Sequence, residues 1–242
     1  RDLVRSRGLG DVYKRQLCTL RGKLKNVLTY GLNADNDIRG ENVKDMGLEG
    51  MRFDIVYGGG RITATIPSPG IHMVMNSLCA AAVGLTLGIE SELIKQGIES
   101  YAPVEGRMQI IKTQRLTLLD DSFNANPTSM AAAINIACRA SGRTVLILGD
   151  MLELGEKGAE YHRDMGKKAV ECGADMMIGK GPLMKNACEE TERAGIETMH
   201  FDTSEDIMRA LDNCLRDGDT VLVKASHGTN LKDVAEYIKA NF

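Results

Sequence analysis

Tryptophan is absent and aromatic residues make up only 4% of the 242 residues, whereas the chain holds 13 Met and 26 Gly. Small and pliable side chains of that kind suit an α/β enzyme with close helix–sheet packing. A formal charge of -3 leaves no excess of either sign. It suggests neither a nucleic-acid footprint nor a patch for a membrane surface. The six cysteines, Cys18, Cys79, Cys138, Cys172, Cys188 and Cys214, are far apart and contain no CxxC pair. They read as reduced thiols of an intracellular protein rather than as a disulfide framework or a zinc site. The longest apolar run, Leu78 to Ile89, is too short to cross a bilayer, and no signal peptide precedes it. The expectation is a soluble cytoplasmic protein without membrane insertion. No GxGxxG follows any strand pattern, which argues against a dinucleotide site, and no His-x-x-His suggests a metal.

What is present is a regular alternation. Apolar strand patterns occur at Leu116 to Leu119, Val145 to Leu148, Met176 to Ile178, Thr198 to Phe201 and Val221 to Val223. Between and after them lie helical patterns at Pro127 to Ala140, Glu156 to Cys172, Leu183 to Ala194, Glu205 to Arg216 and Asn230 to Ala240. Strands alternating with helices predict an α/β fold with a Rossmann-like, mostly parallel, doubly wound sheet. Its informative stretch is LTLLDDSFNANPTSM, Leu116 to Met130. A buried strand ends at Asp120 and Asp121, a polar loop follows, and Asn126-Pro127 supplies a favoured N-cap and first helical residue. Any βα unit needs a polar turn, but two Asp, two Asn, a Ser and a Pro exceed what a cap requires. Two further polar clusters, Gly149 to Glu153 and Lys224 to Asn230, also follow strands, and in a parallel sheet the three converge on one edge. Ser226 and His227 are adjacent at a strand end and point apart, so they make no nucleophile–base pair.

Upstream, Asn26 to Tyr30 reads as a strand and 31–43 as a polar loop. Phe53 to Tyr57 and Arg61 to Ile66 are alternating runs joined at Gly58-Gly59-Gly60, a hairpin turn rather than a phosphate cradle. Val74, Leu78, Ala81 and Leu85 recur at helical spacing, with His72 and Asn76 neighbours on one face. Such a pair is commonly structural. Ser91 reads as the cap of a second helix, and 101–108 as a hinge. Residues 1–16 fit no periodic template; DVYKRQ looks like a translated sequencing-adaptor sequence, and the segment is set aside as non-native.

The pair DDSFNANPTSM and LGDMLELG, in that order, resembles the Mur ligase family, and most closely its members that add D-Ala-D-Ala to a UDP-N-acetylmuramoyl-tripeptide. The resemblance covers 17–242. It implies that 17–106 is the C-terminal part of the central ATP-binding domain and 107–242 the C-terminal Rossmann-like ligase domain. It further implies ATP and Mg²⁺ as cofactors, an acyl-phosphate intermediate, a cytoplasmic monomer, and no nucleic-acid partner. By position, His72, Asn76, Arg107 and Asp121 would bind ATP: Asn76 the adenine, Asp121 the ribose and Arg107 phosphate. Asn124, Asn126, Asp150, Lys224 and Ser226 would face the substrates. The family pattern Gly-x-His-Asn-x-x-Asn has Met73 in place of its first Asn, and Lys-Gly-Ser-Arg appears as Lys224-Ala225-Ser226-His227. The family's phosphate loop, GxxGK[ST], is missing, so the chain resembles a truncated ligase that would be inactive alone. Another Mur or folylpolyglutamate synthase-like ligase, and a non-catalytic Rossmann-like module, stay open as alternatives.

Overall fold

The computed structural model describes residues 27–242 and the backbone of 3–7; 8–26, including the reading of Cys18, lie outside the described residues. Two compact units divide the chain, Arg1–Ala102 and Pro103–Phe242.

The first unit is a five-stranded sheet in the order β1 (Leu3–Arg7), β2 (Val27–Gly31), β3 (Ile38–Asp45), β4 (Met51–Tyr57), β5 (Gly60–Ile66). The first two pairings are parallel, and β3–β4 and β4–β5 antiparallel. Leu3–Arg7, set aside on sequence grounds, thus forms the edge strand beside β2. The glycine triplet closes the β4–β5 hairpin as expected, with Tyr57 opposite Gly60. Helix α1 (Ile71–Thr86) lays Val74, Leu78 and Ala81 against Phe53 and Ile55, all essentially inaccessible. Helix α2 (Ser91–Glu99) packs by β5, burying Ile94 and Ile98. Its N-cap is Glu90, so Ser91 is the first helical residue rather than the cap.

β3 occupies a stretch whose sequence reads as loop. Only Ile38 and Val43 are apolar there, because its outward face is held by charge. Arg39 Nε donates to Glu41 (2.8 Å), Arg61 bridges Glu41 and Asp54, and Asn42 sits at the β-bulge with φ 50° and donates to Asp54 (2.7 Å). A polar-faced antiparallel strand hides from a search for apolar runs.

The second unit is a six-stranded sheet, β6 (Gln109–Lys112), β7 (Thr117–Asp121), β8 (Thr144–Gly149), β9 (Met176–Lys180), β10 (Glu197–Phe201) and β11 (Thr220–Lys224), arranged 10-9-8-11-7-6. All neighbours are parallel except β6–β7. β8 and β11 are buried along their whole length, which is why they read as unbroken apolar runs. Helices α3 (Pro127–Ala137), α4 (Gly158–Cys172), α5 (Lys185–Arg193), α6 (Ser204–Cys214) and α7 (Lys232–Asn241) follow strands β7 to β11 in turn. Ile207 and Leu211 of α6 and Leu231, Val234 and Ile238 at α7 seal one face with Leu118, Ile147 and Val223. β6, an antiparallel edge strand directly after the expected hinge, is an addition to the sequence reading. Among the described residues no helix is long and apolar enough to cross a membrane.

Candidate functional site

β7, β11 and β8 stand side by side and end level: Lys224 pairs with Asp121 on one flank and with Leu148 on the other. The loops after them therefore share one edge of the sheet, where open α/β sheets hold ligands.

Strand alternation separates the two acids of that edge. Asp120 is fully buried on the α7 side. Its Oδ1 accepts from the backbone N–H and hydroxyl of Ser122 (3.2 and 2.6 Å), and its Oδ2 from Lys239 (2.8 Å). Burial would lower the pKa of Lys239, but the hydrogen bonds to Asp120 and Glu236 outweigh it and hold the ammonium above its usual range. Asp121 is half-buried on the opposite side. Its Oδ1 accepts from the Met108 N–H (3.0 Å) and its Oδ2 from Lys224 Nζ (2.5 Å). Lys224 also donates to the Asn124 carbonyl (2.9 Å), and its side chain is only 2% exposed. Among the described residues these two acceptors stabilise the enclosed ammonium.

The loop between Asp121 and α3 turns on the predicted cap. Asn126 Oδ1 accepts from the Ser129 N–H (2.9 Å) while Ser129 Oγ accepts from the Asn126 N–H (3.1 Å), a capping box with Pro127 at the first helical position. Asn124 is exposed, its Oδ1 accepting from the next backbone N–H. Gly106, at φ 70°, lies against Phe123, where a Cβ would come within 3.2 Å of the Phe123 nitrogen. Arg107 then lays its guanidinium 4.1 Å from the centre of the Phe123 ring, and the His227 ring follows 5.7 Å from Phe123. This exposed column of cation, aromatic and imidazole has no sequence signal, because its members are up to 120 positions apart (227 minus 107).

Asp150 and Ser226, read as substrate-facing, have their polar atoms engaged by the protein. Asp150 is 5% exposed and accepts the N–H groups of Leu183 and Met184 (3.3 and 2.7 Å). Its own backbone bonds to Lys180 and Ser226, tying β8, β9 and β11 together. Ser226 Oγ accepts from the Leu152 N–H (3.0 Å) and donates to the Ala125 carbonyl (3.3 Å). His162, inaccessible on α4, accepts the Met151 N–H at Nε2 (2.9 Å) and donates from Nδ1 to the Gly158 carbonyl (2.6 Å), fixing its tautomer. Lys180 crosses the same edge to Ser204 Oγ and the Thr229 carbonyl (2.9 and 2.5 Å). Sequence reading found neither of these two residues: the partners of Lys180 lie 24 and 49 positions away, and no pattern in the helix marks His162 as the acceptor for the Met151 N–H.

His72 and Asn76 lie one turn apart near the start of α1, His72 half-buried and Asn76 exposed. Asn76 borders an apolar cavity of about 490 Å³ in the first unit, walled by Met73, Ser77, Ile94, Ile98 and Tyr101. Among the described residues no group of three or more His, Cys, Asp or Glu could hold a metal ion.

Residues 106–227 match the family model described as "Mur ligase, glutamate ligase domain". The UDP-N-acetylmuramoyl-tripeptide–D-alanyl-D-alanine ligase of Buchnera aphidicola is 30% identical over 229 residues, which take in 93% of this chain and 48% of that protein. The enzyme of the same name from Bacillus subtilis is 32% identical over 215 residues, 86% of this chain and 46% of that one. A solved structure of MurF from Acinetobacter baumannii superimposes on 99% of this chain with a TM-score of 0.86 at 22% identity, using 52% of its own length. MurF ligase from Thermotoga maritima, solved in complex with ADP, gives 0.76 over 93% of this chain and 51% of its own. The chain spans about half the length of the curated relatives it matches.

Proposed function

Because this chain belongs to the Mur ligase family, we propose that it works as part of a longer ATP-dependent ligase that joins D-Ala-D-Ala to a UDP-N-acetylmuramoyl-tripeptide in the cytoplasm. The observation that carries this reading is the level sheet edge at which Asp121, Lys224 and the Asn124–Asn126 loop meet, within the stretch that matches the family model.

Ligases of this type activate a carboxylate as an acyl phosphate, and the incoming amine then displaces the phosphate. That chemistry needs fixed donors, cations and positioning rather than a covalent nucleophile. Asp121 suits the ribose hydroxyls: a carboxylate offers about four acceptor positions, and the contacts from Met108 and Lys224 fix its orientation. Arg107, which precedes the Met108 whose N–H binds Asp121, presents an exposed guanidinium stacked on Phe123 and suited to phosphate. Asn76 and His72 are assigned to the nucleotide by family position, Asn76 to the adenine. Asn124 and Asn126 face the amine substrate in this reading. Asp150, Lys224 and Ser226 hold the walls of the edge, since their polar atoms already bind protein groups. Mg²⁺ would neutralise the ATP phosphates.

The test is turnover by the full-length gene product that contains this chain, supplied with ATP, UDP-N-acetylmuramoyl-tripeptide and D-Ala-D-Ala. The reading expects dipeptide-dependent phosphate release, with Asp121→Ala raising KM for ATP at least tenfold. Equal turnover with a single amino acid in place of D-Ala-D-Ala would assign the chain to a sibling ligase. The 242-residue chain alone should release no phosphate above background, because it lacks the family's phosphate loop.

A further inference from the structure

Helices α3 and α4 pack against each other, and their C-terminal ends bring two thiols together. Cys172, the last residue of α4, points its Sγ at Asn135 Oδ1 on α3, 3.0 Å away. Cys138, the C-cap of α3, comes three residues after Asn135, and residues so spaced are neighbours on one helix face. The Cys172 sulfur thus lies over the part of α3 that carries Cys138. Lys168 lies one turn before Cys172 on the same face, and the neighbouring Cys172, then Glu171, hold its ammonium above its usual range. Both cysteines are half-buried. Cys188 and Cys214, by contrast, are buried in the core.

We propose that Cys138 and Cys172 are a redox-active dithiol that closes to an intramolecular disulfide under a low-molecular-weight disulfide such as oxidised glutathione. Burial, reinforced by the neighbouring Cys172 sulfur and Asp175, pushes the Cys138 thiol up to about 12. Cys138 is therefore the slower nucleophile, and Cys172 attacks first. Its thiolate displaces one glutathione thiolate and leaves a mixed disulfide. With Cys172 capped, the Cys138 sulfur held beside the mixed bond attacks it and releases the second glutathione. The two cysteine protons end on the two glutathiones: the protein loses two electrons and the oxidant gains them. The closed bond ties α3, which begins at the Asn126 cap, to α4.

The experiment is incubation of the native chain with oxidised glutathione, alkylation of remaining thiols, trypsin digestion and mass spectrometry. Cleavage after Arg115 and Arg139 yields a peptide whose single cysteine is Cys138; cleavage after Lys168 and Lys180 yields one whose single cysteine is Cys172. The expected product is the linked pair 116–139 with 169–180, lighter by two hydrogens than the separate peptides and separated by dithiothreitol. The melting temperature should rise by several degrees on oxidation and return on reduction. Cys172→Ser should block both the link and glutathione addition to Cys138, whereas Cys138→Ser should stop at a mixed disulfide on Cys172. A stable mixed disulfide on Cys172 in the unsubstituted chain, or no loss of the two thiols, overturns the proposal. The mapping on unsubstituted protein stands even if either variant folds poorly.

Discussion

Replacing Lys224 by Met probes the enclosed cation directly. Its ammonium contacts Asp121 at 2.5 Å and the Asn124 carbonyl at 2.9 Å, while the two side chains of the ion pair are 2% and 16% exposed. Removing one member of a fully buried pair costs about 3–5 kcal/mol, because the charge left behind has no counterion. Asp121 keeps the Met108 N–H and some contact with water, so the lower end applies, about 3 kcal/mol. In native-state hydrogen exchange followed by mass spectrometry, peptides of β7 and β11 should lose protection by roughly a hundredfold. That readout is local, so it does not depend on both units unfolding together. Asp121→Asn, which leaves Lys224 without a counter-charge, should cost a similar amount. The double variant should recover about 2 kcal/mol relative to the sum of the singles, since the two sites share one interaction. Additive losses, or unchanged protection in Lys224→Met, would refute the claim that the ion pair holds this edge.

Other perturbations test the surrounding fold. Gly166 of α4 sits so close to α5 that an added Cβ would come 2.4 Å from the Ala187 carbonyl oxygen. Gly166→Ala should therefore lose about 2 kcal/mol in urea denaturation, although Ala is the better helix former. Gly97 of α2 has nothing within 4 Å of a built Cβ, so Gly97→Ala should gain about 0.5–1 kcal/mol in the same assay. Asn126→Ala removes the acceptor for the Ser129 N–H and should cost about 1 kcal/mol, with Asn126→Ser restoring most of it. Hydrogen bonds from Thr63, then Asn42 and Arg61, hold Asp54 below the usual carboxylate range. A carboxyl depressed in the folded state stabilises above its unfolded pKa and loses that contribution as pH falls through the folded one. Melting temperature should thus drop steeply below about pH 4, and Asp54→Asn should flatten that part of the curve.

The parts of the fold legible in the sequence are those where burial on both faces writes itself as apolar runs. β7, β8 and β11 were readable for that reason, and the Asn126-Pro127 cap because its chemistry is local. β3 was not, because its stabilising contacts are a charged network on the outer face, and neither was β6, a half-buried edge strand. In the site, residue types and positions pointed to the edge where β7, β11 and β8 end level, but not to what each atom does there. Asp120 and Asp121 look equivalent in sequence; the pleat sends one to Lys239 and the other to Lys224, 119 and 103 positions away. Asp150 and Ser226 likewise have their bonds to backbone groups that no spacing rule would connect.

The position of β11 bears on how this unit is made. The last strand to be synthesised is inserted between β8 and β7 rather than added at a border. Until Thr220–Lys224 emerges from the ribosome, the nascent chain has two half-sheets, each with an open hydrogen-bonding edge and no seam to join them. Closure of this unit then waits on β11, so a chain cut before Thr220 would leave both edges unpaired and prone to aggregation.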